Sequence, residues 1–155
     1  MAKKQYPAPL FRHMDNEEWR EVRAQERDGK RVSIHEKWLE FSPKCMAMYS
    51  RFDPGVIAPH HGHKSVNVIF VVAGSMMCGD VLCTRGMNIT LYEGTPYGPL
   101  IAGPEGVELF EVFMGDPTPW YADQEGYDDL LKEKGVKSLP PPPLTFPDWM
   151  KDLRR

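Results

Sequence analysis

Cysteine is scarce in this 155-residue chain: Cys45, Cys78 and Cys83 are the only three, and no pair has a Cys-x-x-Cys spacing. An odd count rules out a fully paired disulfide framework, and the spacing gives no sign of structural zinc or thiol exchange. The three thiols are therefore expected to be small buried hydrophobes. Long apolar runs are missing too. The longest, around 66–73, is interrupted by Asn67 and falls far short of the ~20 residues a membrane helix needs, so no membrane partner is expected. Residues 1–10 carry lysines but no following apolar stretch or small-residue cleavage site, which makes the cytoplasm the expected location. Blocks of positive charge are also absent. Nineteen basic residues face 22 acidic ones, and Lys/Arg come as scattered pairs such as Lys3-Lys4 and Arg154-Arg155. A phosphate backbone demands a basic footprint, so nucleic acid is excluded as an expected partner.

What the chain does have is alternation. Segments 31–39, 45–52, 66–72, 76–78, 81–83, 88–92 and 107–113 are short runs rich in β-branched, aromatic or Met residues. Turn chemistry separates them, as at Asp53-Pro54-Gly55, Gly79-Asp80 and Pro104-Glu105-Gly106. Such spacing predicts an all-β antiparallel sandwich or barrel. One domain suffices for 155 residues, with a barrel core over about 31–115 and a helix and tail over 116–155. Segment 14–27 is open between a helix and an edge strand followed by a turn. Segment 127–134 predicts a short helix, since Tyr127, Leu130 and Leu131 share a face, acids come early, lysines late, and Gly135 follows. Four prolines, Pro140 to Pro143, then predict an extended polyproline spacer. The apolar cluster beyond it, Phe146 to Met150, either covers its own barrel or docks on a second subunit.

Around His61 the spacing becomes specific. From Gly55 the chain reads Gly, five residues, His61, one residue, His63, three residues, Asn67, six residues, Gly74. This resembles the first motif of the cupin superfamily, with Asn67 in place of the usual Glu. From Gly86 it reads Gly, five residues, Tyr92, one residue, Gly94, two residues, Tyr97, three residues, Ile101. That resembles the second cupin motif, whose Pro, His and Asn are replaced by Tyr92, Tyr97 and Ile101. The resemblance implies a double-stranded β-helix, or jelly-roll barrel, in a chain that pairs as a homodimer. It also implies one divalent transition metal (Fe, Zn, Ni, Mn or Cu) near the inward side chains of His61, His63 and the residues at positions 67 and 97.

Period-two geometry agrees that His61 and His63 share a strand face, while His60 faces away. Typical family members use three imidazoles and one carboxylate, whereas this chain offers two imidazoles, an amide and a phenol. Tyr97 is expected to ligate the ion as phenolate or to donate a hydrogen bond from the pocket wall. Asn67 is expected to stand behind the metal ligands or to orient the reacting oxygen, rather than to ligate. Glu108 and Glu111 have opposite parity, so one of them faces inward. Glu36, Arg51 and Glu93 are expected on solvated faces, with the barrel mouth as the alternative, and Arg51, sharing a side with Tyr49, is also a candidate anchor for an anionic substrate. Phe70, Tyr92, Phe113 and some methionines are expected to make the pocket apolar. The residues after Tyr97, Gly98-Pro99 through Gly106, resemble small bacterial cupins related to dicarbonyl and aromatic ketone dioxygenases. The resemblance therefore implies an enzyme of lyase or dioxygenase type acting on a small carbonyl, enol or aromatic compound. The alternative is a barrel without metal that binds a small apolar molecule or does acid–base chemistry with a histidine and Tyr97.

Overall fold

The computed structural model of the chain describes residues 3, 5–140 and 142–151. Pro141, within the expected proline spacer, and 152–155, at the end of the tail, lie outside the described residues. In chain order the elements are β1 (Arg20–Arg27), β2 (Lys30–Phe41), β3 (Met46–Phe52), β4 (Ile57–Ala58), β5 (His61–His63), β6 (Asn67–Cys78), β7 (Val81–Thr84), β8 (Asn88–Leu91) and β9 (Leu100–Phe113). β10 (Pro119–Tyr121), α1 (Gln124–Lys134), β11 (Val136–Leu139) and α2 (Asp148–Lys151) follow.

One sheet runs in the order β11-β1-β2-β3-β9-β6-β7, with β4 added to β9 and β8 to β6, and β5 and β10 form a separate ribbon. The alternation seen in the sequence drives this arrangement. On β3, Met48, Ser50 and Phe52 are buried while Tyr49 and Arg51 are not. On β9, Val107, Leu109, Glu111 and Phe113 turn to the same interior. Ile34, Ile69, Val71, Leu91 and Leu100 join them in one apolar core, and each fully buried side chain of this kind contributes about 1.5–3 kcal/mol.

The long strands β6 and β9 curl because their pairing slips. β6 and β9 change register between Val71 and Ala73 and again between Gly74 and Met76, and such bulges bend a strand. Gly74, at φ 71°, is required there, since a Cβ would come within 2.1 Å of the Gly106 carbonyl oxygen.

Segment 14–27 is a 3-10 turn (Met14–Asn16) followed by strand β1, not a helix. β1 pairs with both β2 and β11, so the sheet extends beyond the expected 31–115 to Arg20 and Leu139. The single expected strand at 107–113 is the second half of β9. Helix α1 starts three residues earlier than expected because the Asp123 side chain accepts a hydrogen bond from the Gly126 amide at 2.8 Å, and it ends on Gly135 in the left-handed conformation. Its Tyr127 is buried and donates to the Ile57 carbonyl at 3.0 Å, which fastens the helix to β4.

The tail covers its own barrel. Met150, 2 % exposed, shares an apolar cluster with Trp38, Met48 and Phe113, and Phe146 stacks on Trp38 at 5.5 Å. Among the described residues no helix is long and apolar enough to cross a membrane. Of the cysteines only Cys83 is buried. Cys45, just before β3, and Cys78, at the end of β6, are half-buried.

Candidate functional site

A cavity of about 180 Å³ lies inside the barrel, walled by side chains from β1, β2, β3, β5, β6 and β9 and by Tyr97. The residues on β5 are its chemical centre. Gly62 pairs with Trp120 of β10, and a Cβ at Gly62 would stand 2.8 Å from the Trp120 indole. Trp120 therefore packs against the backbone between the two histidines, on the side away from the cavity. Tyr97 is locked opposite His61 by two backbone hydrogen bonds, His61 N–H to Tyr97 O at 3.1 Å and Tyr97 N–H to His61 O at 2.8 Å. Ring centroids are 5.1 Å apart for His61–His63, 4.6 Å for His61–Tyr97 and 6.2 Å for His63–Tyr97.

Both imidazoles are fixed in the same tautomer. His61 Nδ1 lies 2.6 Å from the Pro59 carbonyl oxygen and His63 Nδ1 lies 2.7 Å from that of Pro117. A carbonyl oxygen only accepts, so each Nδ1 carries the hydrogen and each Nε2 keeps its lone pair. Burial holds both rings neutral. It lowers His61 to about 4 against the opposing bond to Pro59, and lowers His63 in the same way. Tyr97, 8 % exposed, is raised well above the ordinary phenol value, first by burial and then by the charge of Glu111.

Of the two parity candidates, Glu111 lines the cavity, while Glu108 sits on the other face of β9. Asn67 Nδ2 donates to Glu111 Oε2 at 2.7 Å. Burial raises the Glu111 carboxyl to about 8, partly opposed by that hydrogen bond. Asn67 itself is 1 % exposed and not part of the cavity wall, because it stands behind Glu111. Of this pair Glu111 is the one that faces the cavity, and Asn67 supports it from behind.

Glu36, expected on a solvated face, lines the cavity and accepts a hydrogen bond from Trp38 Nε1 at 2.8 Å. Its parity with Ile34 and Trp38 on β2 was the available signal. Arg51 is not in this cavity; its guanidinium lies over the Trp19 ring at 4.6 Å on the outer face. Phe70 and Tyr92, 43 % and 71 % exposed, also point outward, leaving Phe113 and Met48 as apolar wall. Arg23 lines the cavity, and the sequence reading did not single it out.

No family model and no curated protein matches the chain. Solved structures do. A protein from Methylibium petroleiphilum to which acetylacetone dioxygenase activity is ascribed superimposes with a TM-score of 0.63 at 14 % identity, over 98 % of this chain and 99 % of that one. The acetylacetone dioxygenase of Acinetobacter johnsonii gives 0.57 at 15 %, covering 81 % and 85 %. An RmlC-like cupin from Shewanella frigidimarina gives 0.54 at 21 %, covering 77 % and 96 %. The chain has the cupin fold. The jelly-roll expectation holds.

Among the described residues no three His, Cys, Asp or Glu side chains are grouped so as to hold a metal ion. The donors that line this cavity include two neutral imidazoles, the Tyr97 phenol beside them, and the Glu36 and Glu111 carboxyls. Two open Nε2 lone pairs, each on a ring anchored through Nδ1, fit a divalent transition ion, with the Tyr97 phenol ring beside them.

Proposed function

We propose that this cupin is an enzyme whose His61, His63 and Tyr97 hold one divalent transition metal. Its substrate is a small, partly apolar carbonyl, enol or aromatic compound, and its chemistry is of lyase or dioxygenase type. The observation that carries this reading is the pairing of both Nδ1 atoms with backbone carbonyls, 2.6 and 2.7 Å away. That arrangement orients metal-binding imidazoles and fixes their tautomer. The acetylacetone dioxygenases among the structural neighbours support the substrate class. So does size, since drug-sized ligands occupy roughly 300–1,000 Å³ and this cavity is about 180 Å³.

Bound there, a transition ion supplies Lewis acidity towards a substrate oxygen, or one-electron chemistry if it is iron. The chain's own residues do the rest. Ile34, Ile69 and Phe113 exclude water from the reacting atoms. Glu111, raised to about 8, is mostly protonated at neutral pH. Because Asn67 donates to Oε2, the proton of Glu111 resides on Oε1, ready for transfer to a substrate carbanion or enolate. Asn67 is a positioning residue in this scheme.

A second reading, a metal-free acid–base enzyme using Glu111 and Tyr97, is favoured by the buried Glu111 carboxyl on the cavity wall, which burial raises to about 8. The two separate in a turnover screen of small β-dicarbonyls, enols and phenols. On the metal reading, activity requires an added transition ion and disappears in His63→Ala. Activity that persists unchanged in excess chelator contradicts it and supports the second.

A further inference from the structure

We infer that Arg23 is the anion-recognising residue of this cavity, so that the substrate class is a small carbonyl or enol compound bearing a carboxylate. The inference rests on the cavity being the substrate site proposed above. Arg23 reaches it through an irregularity. β1 and β2 pair at Arg20↔Glu36 and Glu21↔His35, then resume at Arg23↔Ile34, which leaves Val22 as an extra residue. In a regular strand, neighbours such as Val22 and Arg23 point to opposite faces. Here both line the cavity, because the bulge turns the second side chain inward.

The group delivered this way is a permanent cation, since a guanidinium does not lose its proton in a protein. Among the described residues its contacts are to a neutral group. Arg23 Nη1 donates to the Tyr127 hydroxyl at a long 3.3 Å, and the guanidinium carbon lies 6.0 Å from the Tyr127 ring centroid. Arg12, Arg20 and Arg31 each have a carboxylate within 4 Å, whereas Arg23 forms no ion pair among the described residues. Glu36 and Glu111 face the same cavity, and neither pairs with it. A fork of N–H donors without a counter-ion, on the wall of a largely apolar cavity, is complementary to a planar carboxylate, which it binds in bidentate fashion.

Acetoacetate and acetylacetone test this, because they have the same number of heavy atoms and differ in a carboxylate against a methyl ketone. Calorimetric titration of the protein as purified should give a Kd roughly tenfold or more lower for acetoacetate. In Arg23→Met that ratio should fall to near one with acetylacetone affinity kept, and Arg23→Lys should retain part of the preference. Equal affinities in the unaltered protein, undetectable acetoacetate binding, or a preference that survives in folded Arg23→Met overturns the inference. Should Arg23→Met not fold, loss of the whole preference in Tyr127→Phe, which keeps the cation, overturns it equally. Metal content is read in the same samples. An Arg23-dependent preference in protein that binds no metal leaves this inference standing and removes the metal reading, while metal bound with no preference does the reverse.

Discussion

Asn67 on β6 donates its side-chain N–H to Glu111 on β9 across 2.7 Å, and the two side chains are 1 % and 5 % exposed. They reach each other because Ile69 is the register partner of Glu111, which puts Asn67 one inward position along the same face. The family pattern leads one to expect a carboxylate at position 67. Here an amide stands at that position, and the carboxylate comes from the neighbouring strand.

That bond predicts an asymmetric response to substitution. Asn67→Ala leaves a buried Glu111 oxygen without its donor and should destabilise the protein by about 1–3 kcal/mol. Adding Glu111→Leu should recover part of that loss, since both polar partners are then gone. Urea denaturation of the two single variants and the double variant measures the coupling. Additive effects would contradict it.

The pH dependence of stability follows from two groups of opposite sign. Glu111 titrates near 8 in the fold against an ordinary 4.5, so its contribution is complete below about 4.5 and is lost as pH rises through 8. His61 titrates near 4 against an ordinary 6.5, so its contribution is complete above 6.5 and is lost as pH falls towards 4. Between pH 6.5 and 8 only the Glu111 contribution of this pair is changing. Metal-free protein should lose up to about 1.4 kcal/mol per pH unit there, and Glu111→Gln should flatten the profile. Parallel profiles for the two proteins would refute the assignment.

Much of the fold was legible because it rests on alternation and spacing. The inward set on β3 and β9 follows from period two, and the His61–His63 pair from the same rule. Glu111 against Glu108 was narrowed to one of two by parity alone, and packing chose. Arg23 was not legible, because a bulge at Val22 obeys no local pattern and reverses the parity on which such a reading depends. Phe70 and Tyr92 misled for a related reason: hydrophobicity says that a side chain prefers burial, not that the sheet has room for it on its inner face. The tail had two destinations, its own barrel or a second subunit, and the stacking of Phe146 on Trp38 puts it on the first.

The tail docking carries its own expectation. Met150 shares a cluster with Met48 and Phe113, both of which line the cavity. Met150→Ala should cost about 2–5 kcal/mol by the usual large-to-small penalty. Thermal and urea unfolding measure it. A variant as stable as the parent would mean that the tail does not pack on its own barrel.

The central claim is that the imidazoles of His61 and His63 share an ion with Tyr97 beside them. Elemental analysis of protein purified without chelators tests it most directly. The account predicts close to one transition metal per chain, and its loss in the His61→Ala/His63→Ala double variant. A parent protein essentially free of transition metal, or a double variant that keeps its full complement, would contradict it.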